Sequence, residues 1–349
     1  MLNPQKTDIK SLSLEELTSM MKNFNQPQFR VKQVVQWLYG KGARSFDEMS
    51  NLSLALRNTL KENFSLSFPE LVQKQISKDG TRKYLLKLED DVTVETVGMP
   101  NENNTKLSVC ISTQAGCRVR CAFCATGQNG FTRNLSIGEI VDQVRVAGED
   151  FGIRPSSVVV MGQGEGFLNY DNMMSALRFI NSEDGLGIGA RHITISTAGM
   201  IVGIDKLAQE PEQFTLAISL HSAIQETRDQ LMPGVAGFNL TRLKASIDNY
   251  IAQTSRRPSY EYALIKGLND SDKHLDALVS YTEGTLAHVN LIELNEIDES
   301  DFKPASHARA LEFKRRLERA GVECTIRNSR GSDIDAACGQ LKQRYEQDN

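Results

Sequence analysis

The stretch Cys117-Arg-Val-Arg-Cys121-Ala-Phe-Cys124 places three cysteines in a C-x3-C-x2-C run, and no fourth cysteine adjoins them. Four thiolates would close a tetrahedral metal site, as in structural zinc sites and most ferredoxin clusters. Three thiolates leave one iron of a four-iron cluster without a protein ligand, and such an iron can bind and activate a small molecule. The run therefore predicts a reactive iron–sulfur site. The alternatives are inert core cysteines, or zinc with a further ligand such as His192 or His221.

Composition narrows the class of protein. The chain has 349 residues and is 40% hydrophobic, enough for one large α/β domain and a smaller accessory domain. The opening MLNPQKTDIK lacks an apolar signal region, and no apolar run approaches the roughly 20 residues that span a bilayer. We therefore expect a cytoplasmic protein without a membrane segment, whose six cysteines serve metal or catalytic roles. A net charge of −4 disfavours a non-specific nucleic-acid coat but leaves a local basic surface open.

The first 65 residues have a helical pattern, and Ser13 is a plausible N-cap. The predicted helices are Leu12–Met21, Arg30–Leu38 and Leu52–Asn63. The basic and aromatic stretch FRVKQVVQWLYGKGARSF, residues 29–46, indicates either a solvated helix face over an aromatic core or a small RNA-binding module. We take residues 1–68 as a helical accessory domain.

Residues 69–112 have short β-rich runs, namely LVQKQIS, KYLLKL, VTVETVGM and LSVCIS. The turn signals Asp79-Gly80 and Asp90-Asp91 separate some of them. We expect an antiparallel connector that leads into the cysteine run.

From Ser136 onward, within residues 113–349, helical and strand patterns alternate, and Ser136 with Glu139 forms a capping-box signature. The predicted strands are Ser157–Met161, Ile193–Ser196, Thr215–Leu220, Ser259–Ile265, Val289–Leu294 and Glu323–Arg327. The predicted helices include Ser136–Glu149, Leu240–Gln253, Lys273–Thr282 and Ala305–Ala320. Alternation of this kind predicts a parallel sheet with crossover helices, and about six strands could form a partial or full βα barrel. Ligands would then bind at the carboxyl ends of the strands.

The sequence Gly162-Gln163-Gly164-Glu165-Gly166 directly follows a predicted strand. Glycines allow the backbone to approach a ligand closely, and Glu165 supplies a carboxylate for a ligand ammonium. A purely structural turn is the alternative, and the spacing differs from the G-x-G-x-x-G of a dinucleotide site.

Polar residues also end several of the later strands. They are Ser196, Thr197, Ser219, His221 (after Leu220) and Asn295. Each alone could be a cap or a turn residue, but their shared placement favours a common pocket.

Three further cysteines lie outside the run. Cys338, in the glycine-containing stretch GSDIDAACGQ, could be a nucleophilic thiol on a mobile tail or part of a small-residue cap. The pattern around Cys110 fits a buried small hydrophobe, and Cys324 beside Val322 reads as core.

Taken together, the cysteine run, GQGEG and DIDAACGQL resemble the radical SAM RNA methyltransferases of the RlmN/Cfr family. The resemblance extends from the FRVKQVVQWLY helix through VETV, CATGQNGFTRNL, ISTAG, SLHS and NLIELN to RGSDIDAACGQL. The C-x3-C-x2-C run is specific only to the radical SAM superfamily, whereas DIDAACGQL together with Cys110 is specific to this family.

The resemblance implies a radical SAM partial (βα)6-type barrel and a 4Fe-4S cluster held by Cys117, Cys121 and Cys124. S-adenosylmethionine (SAM) would chelate the open iron, with two molecules consumed per turnover. The residues implied to contact SAM are Gly164, Glu165, Ser196, Ser219, Leu220, His221 and Asn295.

The resemblance also implies a catalytic role for Cys338, which is methylated by one SAM and then attacked by the radical from a second. The resulting carbon radical adds to an adenine ring carbon, and Cys110 releases the product through a transient Cys110–Cys338 disulfide. Glu95 matches an acidic position assigned to proton transfer. A protein-bound carbon makes physical sense, because adenine carbon 2 is electrophilic and cannot take a methyl cation from SAM.

The implied substrate is an adenosine of 23S rRNA, modified at carbon 2, with tRNA as a possible second substrate and an external electron donor such as flavodoxin. A monomer is expected. Two loops depart from the family pattern: the segment Met232–Gly237 lacks lysine, and Glu296–Asp301 is acidic. The alternatives are carbon-8 methylation of the antibiotic-resistance type, a radical SAM enzyme with a non-RNA substrate, and an iron–sulfur redox protein.

Overall fold

The structure is a computed structural model that describes residues 6–295, 300–327 and 330–334. Its first part is helical, as predicted: α1 (Leu14–Asn23), α2 (Phe29–Val35) and α3 (Leu54–Asn63) follow a short strand β1 (Thr7–Asp8). Ser13 caps α1 in a capping box with Glu16, which explains where the helix begins. A π-turn over Gln36–Gly40 continues α2, and β2 (Phe64–Ser65) pairs in parallel with β1.

The next segment forms four strands at the predicted places. They are β3 (Glu70–Ile76), β4 (Arg82–Lys87), β5 (Thr93–Pro100) and β6 (Leu107–Cys110). Neighbouring strands pair antiparallel, with Val97 opposite Cys110 and Pro100 opposite Leu107. The β3–β4 turn contains Gly80 at a φ of 82°, a conformation that glycine adopts without strain.

A small hairpin, which the sequence pattern did not predict, encloses the cysteine run. It consists of β7 (Gln114–Gly116) and β8 (Phe131–Asn134), with the one-turn helix α4 (Ala125–Gln128) between them.

The remaining described chain alternates helices and strands. The strands are β9 (Ser157–Val160), β10 (Ile193–Thr197), β11 (Thr215–Ser219), β12 (Ser259–Leu264), β13 (His288–Glu293) and β14 (Glu323–Arg327). The helices are α5 (Ile137–Phe151), α6 (Tyr170–Asn181), α7 (Ile201–Leu207), α8 (Gln225–Leu231), α9 (Leu240–Thr254), α10 (Asp272–Thr282) and α11 (His307–Arg319). Ser136 and Glu139 form the predicted capping box of α5.

Within the described ranges, ten strands form one sheet in the order β14-β13-β12-β11-β10-β9-β6-β5-β4-β3. Strands β9 to β14 are parallel, and β6 pairs in parallel with β9 but antiparallel with β5. The predicted α/β architecture is therefore confirmed. The antiparallel strands extend the barrel sheet instead of forming a separate layer, because β6 belongs to both halves.

The N-terminal helices pack against the barrel helices. Lys10 is only 1% exposed and makes an ion pair with the buried Asp142 of α5. The Tyr39 ring stacks on Phe179 of α6, with the ring centroids 4.4 Å apart. A buried ion pair of this kind is costly to break, because removing one partner leaves the other charge buried alone. Loss of either partner is therefore expected to weaken the contact between the N-terminal part and α5.

Candidate active site

The cysteine run is held between the two strands of the β7–β8 hairpin. The backbone amide of its first residue, Cys117, donates to the Gly130 carbonyl at 2.7 Å. Gly116 lies at a φ of 76°, and a Cβ there would lie 2.1 Å from the Gly130 oxygen, so glycine is required at the hairpin crossing. The middle of the run is tied to α8, because the Ala122 amide donates to the Leu231 carbonyl at 2.9 Å.

The three thiols of the run lie close enough to influence one another. Burial, together with the charges of Cys124 and Glu165, raises the pKa of Cys117 to about 11, although backbone hydrogen bonds from Val119 and Arg120 act in the opposite direction. Burial, followed by the charges of Cys124 and Cys117, raises the pKa of Cys121 well above its usual value. Free thiols here would stay protonated at neutral pH. A metal that binds all three displaces those protons, because thiolate is the ligating form.

The surroundings of Arg228 in α8 indicate whether the site beside the three cysteines can accommodate a cluster. Its side chain is fully buried, and one nitrogen donates to the Ala198 carbonyl. Its Nε and Nη1 atoms have no hydrogen-bond partner among the described residues, and Cys121 is one of the groups whose charge acts on it. A buried cation without a counter-charge is costly. A cluster bound by three thiolates would supply negative charge at this point, so the residues fit the group.

The zinc alternative finds less support. Among the described residues, no three His, Cys, Asp or Glu side chains converge as the ligands of a single metal ion would. Cluster ligands are spread over separate irons and do not need to converge so tightly. His192 is exposed at the start of β10, and the Nδ1 atom of His221 accepts a hydrogen bond from the Ala263 amide at 3.1 Å.

The Gly162–Gly166 loop packs closely on the segment that leads into the hairpin. A Cβ at Gly164, whose φ is 103°, would lie 2.6 Å from Gln114. A Cβ at Gly162 would lie 2.7 Å from the Ile111 backbone. These two glycines therefore allow the loop to pack closely against Gln114 and Ile111 of the protein itself.

Glu165 is 4% exposed, and its carboxylate accepts from the Ala198 amide at 2.6 Å and from the Phe167 amide at 3.1 Å. Burial raises its pKa, although hydrogen bonds from Ala198, Phe167 and Thr197 act in the opposite direction. Glu165 therefore connects the loop after β9 with the loop after β10, and it lines the same cavity as the three cysteines.

The polar residues at the other strand ends converge as predicted. The Ser196 and Ser219 hydroxyls lie 3.3 Å apart. His221 has a φ of 54°, and burial followed by the Arg228 charge lowers its pKa to about 3, so its ring is neutral. Leu220 is fully buried in the core, and its amide donates to the Glu261 carbonyl.

One cavity of about 780 Å³ joins these groups. Cys117, Cys121 and Cys124 line it together with Cys110, the last residue of β6, and Asn295. The cavity continues past Ser108 and Pro100 towards the opposite end of β6, so it occupies the barrel interior along the length of that strand.

Cys110 is therefore a cavity residue and not the buried small hydrophobe that its surroundings in sequence suggest. Burial raises its pKa to about 11, Arg327 and the Met161 amide lower it, and Glu95 raises it. Glu95, in β5, is 5% exposed, and its carbonyl accepts from the Ser112 hydroxyl at 2.6 Å. Its charge also acts on Cys124, which puts it near both thiols.

Pattern reasoning missed four charged residues that line the cavity: Lys106, Glu261, Arg327 and Arg330. Glu261 is 4% exposed in the middle of β12, where its predicted strand gave no sign of a buried carboxylate. Arg327 ends β14, and the rule that placed ligands at strand ends could have found it.

Several predicted features lie outside the described residues. They are Cys338 and residues 296–299 of the acidic loop. The five described cysteines, Cys110, Cys117, Cys121, Cys124 and Cys324, are all free thiols, and the Cys110–Cys338 disulfide stays a prediction. The loop that lacks lysine packs on the cysteine run, since the Gly234 amide donates to the Val119 carbonyl at 2.7 Å. No described helix is long and apolar enough to cross a bilayer.

Comparisons with known proteins agree with this geometry. Residues 7–66 match the family model of the ribosomal RNA large subunit methyltransferase N-terminal domain, and residues 111–281 match that of the radical SAM superfamily. A crystal structure of a radical SAM methyltransferase from Sphaerobacter thermophilus superposes with a TM-score of 0.88 at 39% identity, covering 96% of this chain and 98% of that one. The expected partial barrel is thereby confirmed.

Two curated relatives span nearly the whole chain. A probable dual-specificity RNA methyltransferase RlmN from Clostridium tetani is 45% identical over 97% of this chain and 96% of its own length. The protein of the same name from Staphylococcus carnosus is 44% identical over 98% of this chain and 94% of its own length. This chain belongs to the RlmN family of radical SAM RNA methyltransferases.

Proposed function

We propose that this protein methylates carbon 2 of an adenosine in 23S rRNA, with Cys338 as the methyl carrier and tRNA as a second substrate. One observation carries the proposal: Cys110, a thiol outside the C-x3-C-x2-C run, lines the same cavity as Cys117, Cys121 and Cys124. An enzyme that only cleaves SAM has no need for such a thiol. The curated relatives, named dual-specificity RNA methyltransferases, support RNA as the substrate.

The cofactors belong to one end of the cavity. Cys117, Cys121 and Cys124 would hold the 4Fe-4S cluster, with Arg228 as a buried positive charge beside them. When bound, the cluster and SAM supply a one-electron reductive cleavage that removes a hydrogen atom from the methyl group on Cys338 and lets that carbon join the adenine ring. The residues proposed to contact SAM are Gly164, Glu165, Ser196, Ser219, Leu220, His221 and Asn295. Two SAM molecules are consumed in each cycle.

The two remaining cysteines have separate roles. The Cys338 thiol loses its proton, and the thiolate takes the methyl group of the first SAM: the sulfonium–methyl bond breaks and the Sγ–carbon bond forms. After the carbon radical has joined ring carbon 2, the adduct would return one electron to the cluster and lose the proton on carbon 2, which restores the aromatic ring. The Cys110 thiolate then attacks the Cys338 sulfur: the Sγ–carbon bond breaks, its electron pair stays on the carbon, which takes up one proton, and a Cys110–Cys338 disulfide forms. An external dithiol must reduce that disulfide before the next cycle.

Glu95 is the proposed proton carrier for these steps. Its charge acts on both Cys110 and Cys124, which supports a role near both thiols. A carboxylate in this position can take or return a proton without leaving the buried site.

The N-terminal helices, within the proposed domain of residues 1–68, are the proposed RNA-binding part. Lys41 lies over the Trp37 ring at 3.8 Å, and Arg30 lies over the exposed Phe29 ring at 4.9 Å. Aromatic rings and cations in alternation suit the bases and phosphates of RNA. The remaining proposed parts are a connector over residues 69–112 and a catalytic core over 113–349.

Anaerobic turnover of the cluster-reconstituted protein tests the proposal. The protein is incubated with a 23S rRNA fragment or with tRNA, methyl-labelled SAM and reduced flavodoxin, and the nucleosides are analysed by mass spectrometry. Labelled 2-methyladenosine is the expected product, whereas 8-methyladenosine would assign the protein to the other reaction. Cleavage of SAM without any labelled RNA would contradict RNA as the substrate, and no SAM cleavage would leave the redox-protein alternative.

A further inference from the structure

The described end of the chain connects the two edges of the open sheet. Strand β14 forms one edge and β3 the other. Arg327 ends β14, yet a few residues later the Arg330 guanidinium donates to the carbonyl of Pro100 at the end of β5. Both arginines line the cavity. The chain therefore crosses the open side of the barrel from the β14 edge towards the β3 edge.

On the far side, the chain meets the β3–β4 turn in two reciprocal sets of hydrogen bonds. Asp79 of the turn accepts from the Gly331 amide at 3.0 Å through Oδ2. Asp333 in return accepts from the Ser77 hydroxyl at 2.5 Å and from the Lys78 amide at 3.1 Å. We call this arrangement of Asp79 and Asp333 the clasp. Each carboxylate binds the backbone of the other segment, so neither contact depends on a flexible side-chain partner alone.

Three local features support the clasp. The Asp79 Oδ1 atom is held by the Thr81 amide at 2.9 Å, which orients its other oxygen towards Gly331. A Cβ at Gly80 would lie 3.3 Å from the Pro100 ring, so the turn packs against the residue whose carbonyl accepts the hydrogen bond from Arg330. Burial alone would raise the pKa of Asp79, but hydrogen bonds from Thr81, Gly331 and Ser77 lower it to about 2. Hydrogen bonds from the Ser77 hydroxyl and the Lys78 amide likewise lower the pKa of Asp333, so both carboxylates stay ionised across the physiological pH range.

The position of the clasp limits where the methyl-carrying thiol can go. Cys338 follows Ile334 by four residues, which span at most about 14 Å when fully extended. Pro100 pairs with Leu107 at the start of β6, whereas Val97 pairs with Cys110 at its end. Three residues of β5 separate these levels, a rise of about 10 Å. The clasp is thus at the opposite end of β6 from Cys110, and four residues are just enough to bring Cys338 back to it.

We infer that Asp79 and Asp333 are positioning residues, which fix the point from which the Cys338 segment departs and so keep its thiol within reach of the cavity. This inference rests on the proposed function, in which Cys338 accepts a methyl group and later meets Cys110. Without the clasp, the last fixed point of the chain would be Arg330, which still bonds Pro100, and eight residues instead of four would separate that point from Cys338. The entropy of closing that longer loop would then oppose both encounters.

The test compares three variants with the wild type: Asp79→Ala, Asp333→Ala and the double substitution. Lys78→Ala is the matched control, because it removes an exposed side chain of the same turn but keeps the amide that Asp333 accepts from. For each protein we measure iron content, 5′-deoxyadenosine formed from SAM, and the fraction of Cys338 that acquires a labelled methyl group during turnover with RNA. The last value comes from mass spectrometry of the Cys338 peptide.

The expected result is a Cys338 methylation about threefold slower in the double variant, which is the cost of doubling the length of the loop that must close, with iron content and SAM cleavage unchanged. Lys78→Ala should match the wild type in all three. Equal methylation in the double variant and the wild type would overturn the inference, and so would wild-type methylation in Asp333→Asn where the alanine variants lose iron and SAM cleavage together. If the wild type itself never methylates Cys338, the proposed function fails and the clasp has no such role. Should the alanine variants lose the cluster, Asp333→Asn, which keeps one acceptor oxygen, should still slow methylation.

Discussion

The two halves of the sheet contribute to the site in different ways. In the parallel half, β9 to β14 all end at one edge, and the loops that follow them bring Glu165, Ser196 and Ser219 together by topology alone. In the antiparallel half, β3 to β5 alternate in direction, so their contributions are individual: Glu95 inside β5 and the clasp at the β3–β4 turn. Strand β6, which ends in Cys110, belongs to both.

Under the proposed function, the two halves serve different steps. The parallel half and the β7–β8 hairpin hold three thiols, a buried guanidinium and a carboxylate, which are the groups proposed to serve SAM cleavage. The antiparallel half holds Glu95, and strand β6 at its boundary ends in Cys110, and these two groups are proposed to act in release of the product. Changes in the first half should stop SAM cleavage itself, whereas changes in the second should leave cleavage intact and prevent methylation of RNA.

The largest effect is expected for Cys121→Ala. Two thiolates cannot hold the cluster in place of three, so iron and sulfide content should fall to background and SAM cleavage with it. Iron and sulfide assays on the anaerobically reconstituted protein, followed by measurement of 5′-deoxyadenosine, check this. Cys324→Ala, in the core of β14, is the control and should retain both. A Cys121→Ala protein with full iron content would show that the run is not the cluster site.

Cys110→Ala should have a different result, because it removes only the releasing thiol. Cluster content and SAM cleavage should persist, while free methylated RNA disappears and a covalent protein–RNA adduct through Cys338 accumulates. Denaturing gel electrophoresis with labelled RNA detects such an adduct, and the adduct should be absent from Cys110→Ala/Cys338→Ala. Normal release of methylated RNA by Cys110→Ala would remove this cysteine from the mechanism.

The sequence predicted the parallel half better than the antiparallel half for a physical reason. Alternation of strands and helices predicts where parallel strands end, so Ser196, Ser219 and His221 could be expected in one pocket from the pattern alone. The capping boxes at Ser13 and Ser136 marked two helix starts in the same way, because they depend only on residues three apart.

Contacts between distant segments could not be predicted in this way. The ion pair of Lys10 with Asp142 and the reciprocal bonds of the clasp join residues that are far apart in sequence. The burial of Arg228 also depends on distant segments. Sequence periodicity predicts none of these features. The pattern also indicated that Cys110 belongs to the core. The sequence of an apolar strand is the same whether its last side chain packs in the core or lines a cavity.

Arg228 offers a finer comparison of the protein with and without its cluster. If the cluster provides the counter-charge, Arg228→Met should make reduction of the cluster about tenfold less favourable, a fall in midpoint potential of about 59 mV for a one-electron couple. The cation stabilises the more negative, reduced state, so its loss lowers the potential. Without the cluster, the same substitution removes an unpaired buried charge and should not lower the melting temperature. Anaerobic redox titration and thermal unfolding measure the two values.

Arg228→Lys keeps the charge and is the matched control for this experiment. It should leave the midpoint potential much closer to that of the wild type than Arg228→Met does. An unchanged potential in Arg228→Met would mean that the guanidinium serves only to hold the Ala198 carbonyl, and that the parallel half tunes its cluster by other means.

The smallest expected effect concerns Cys110, at the boundary of the two halves. Burial raises its pKa to about 11, whereas Arg327, whose guanidinium lies 3.8 Å from the Met161 sulfur, lowers it. Only the thiolate reacts with iodoacetamide, so alkylation should become about tenfold faster per pH unit until the pH reaches about 11. Arg327→Met should raise the pKa further and slow alkylation at pH 9 about threefold. Peptide mass spectrometry follows Cys110 and Cys324 in one sample. Cys324, whose pKa burial raises to about 12, should not respond, and an equal change in both would indicate loosening of β14 instead of a lost charge.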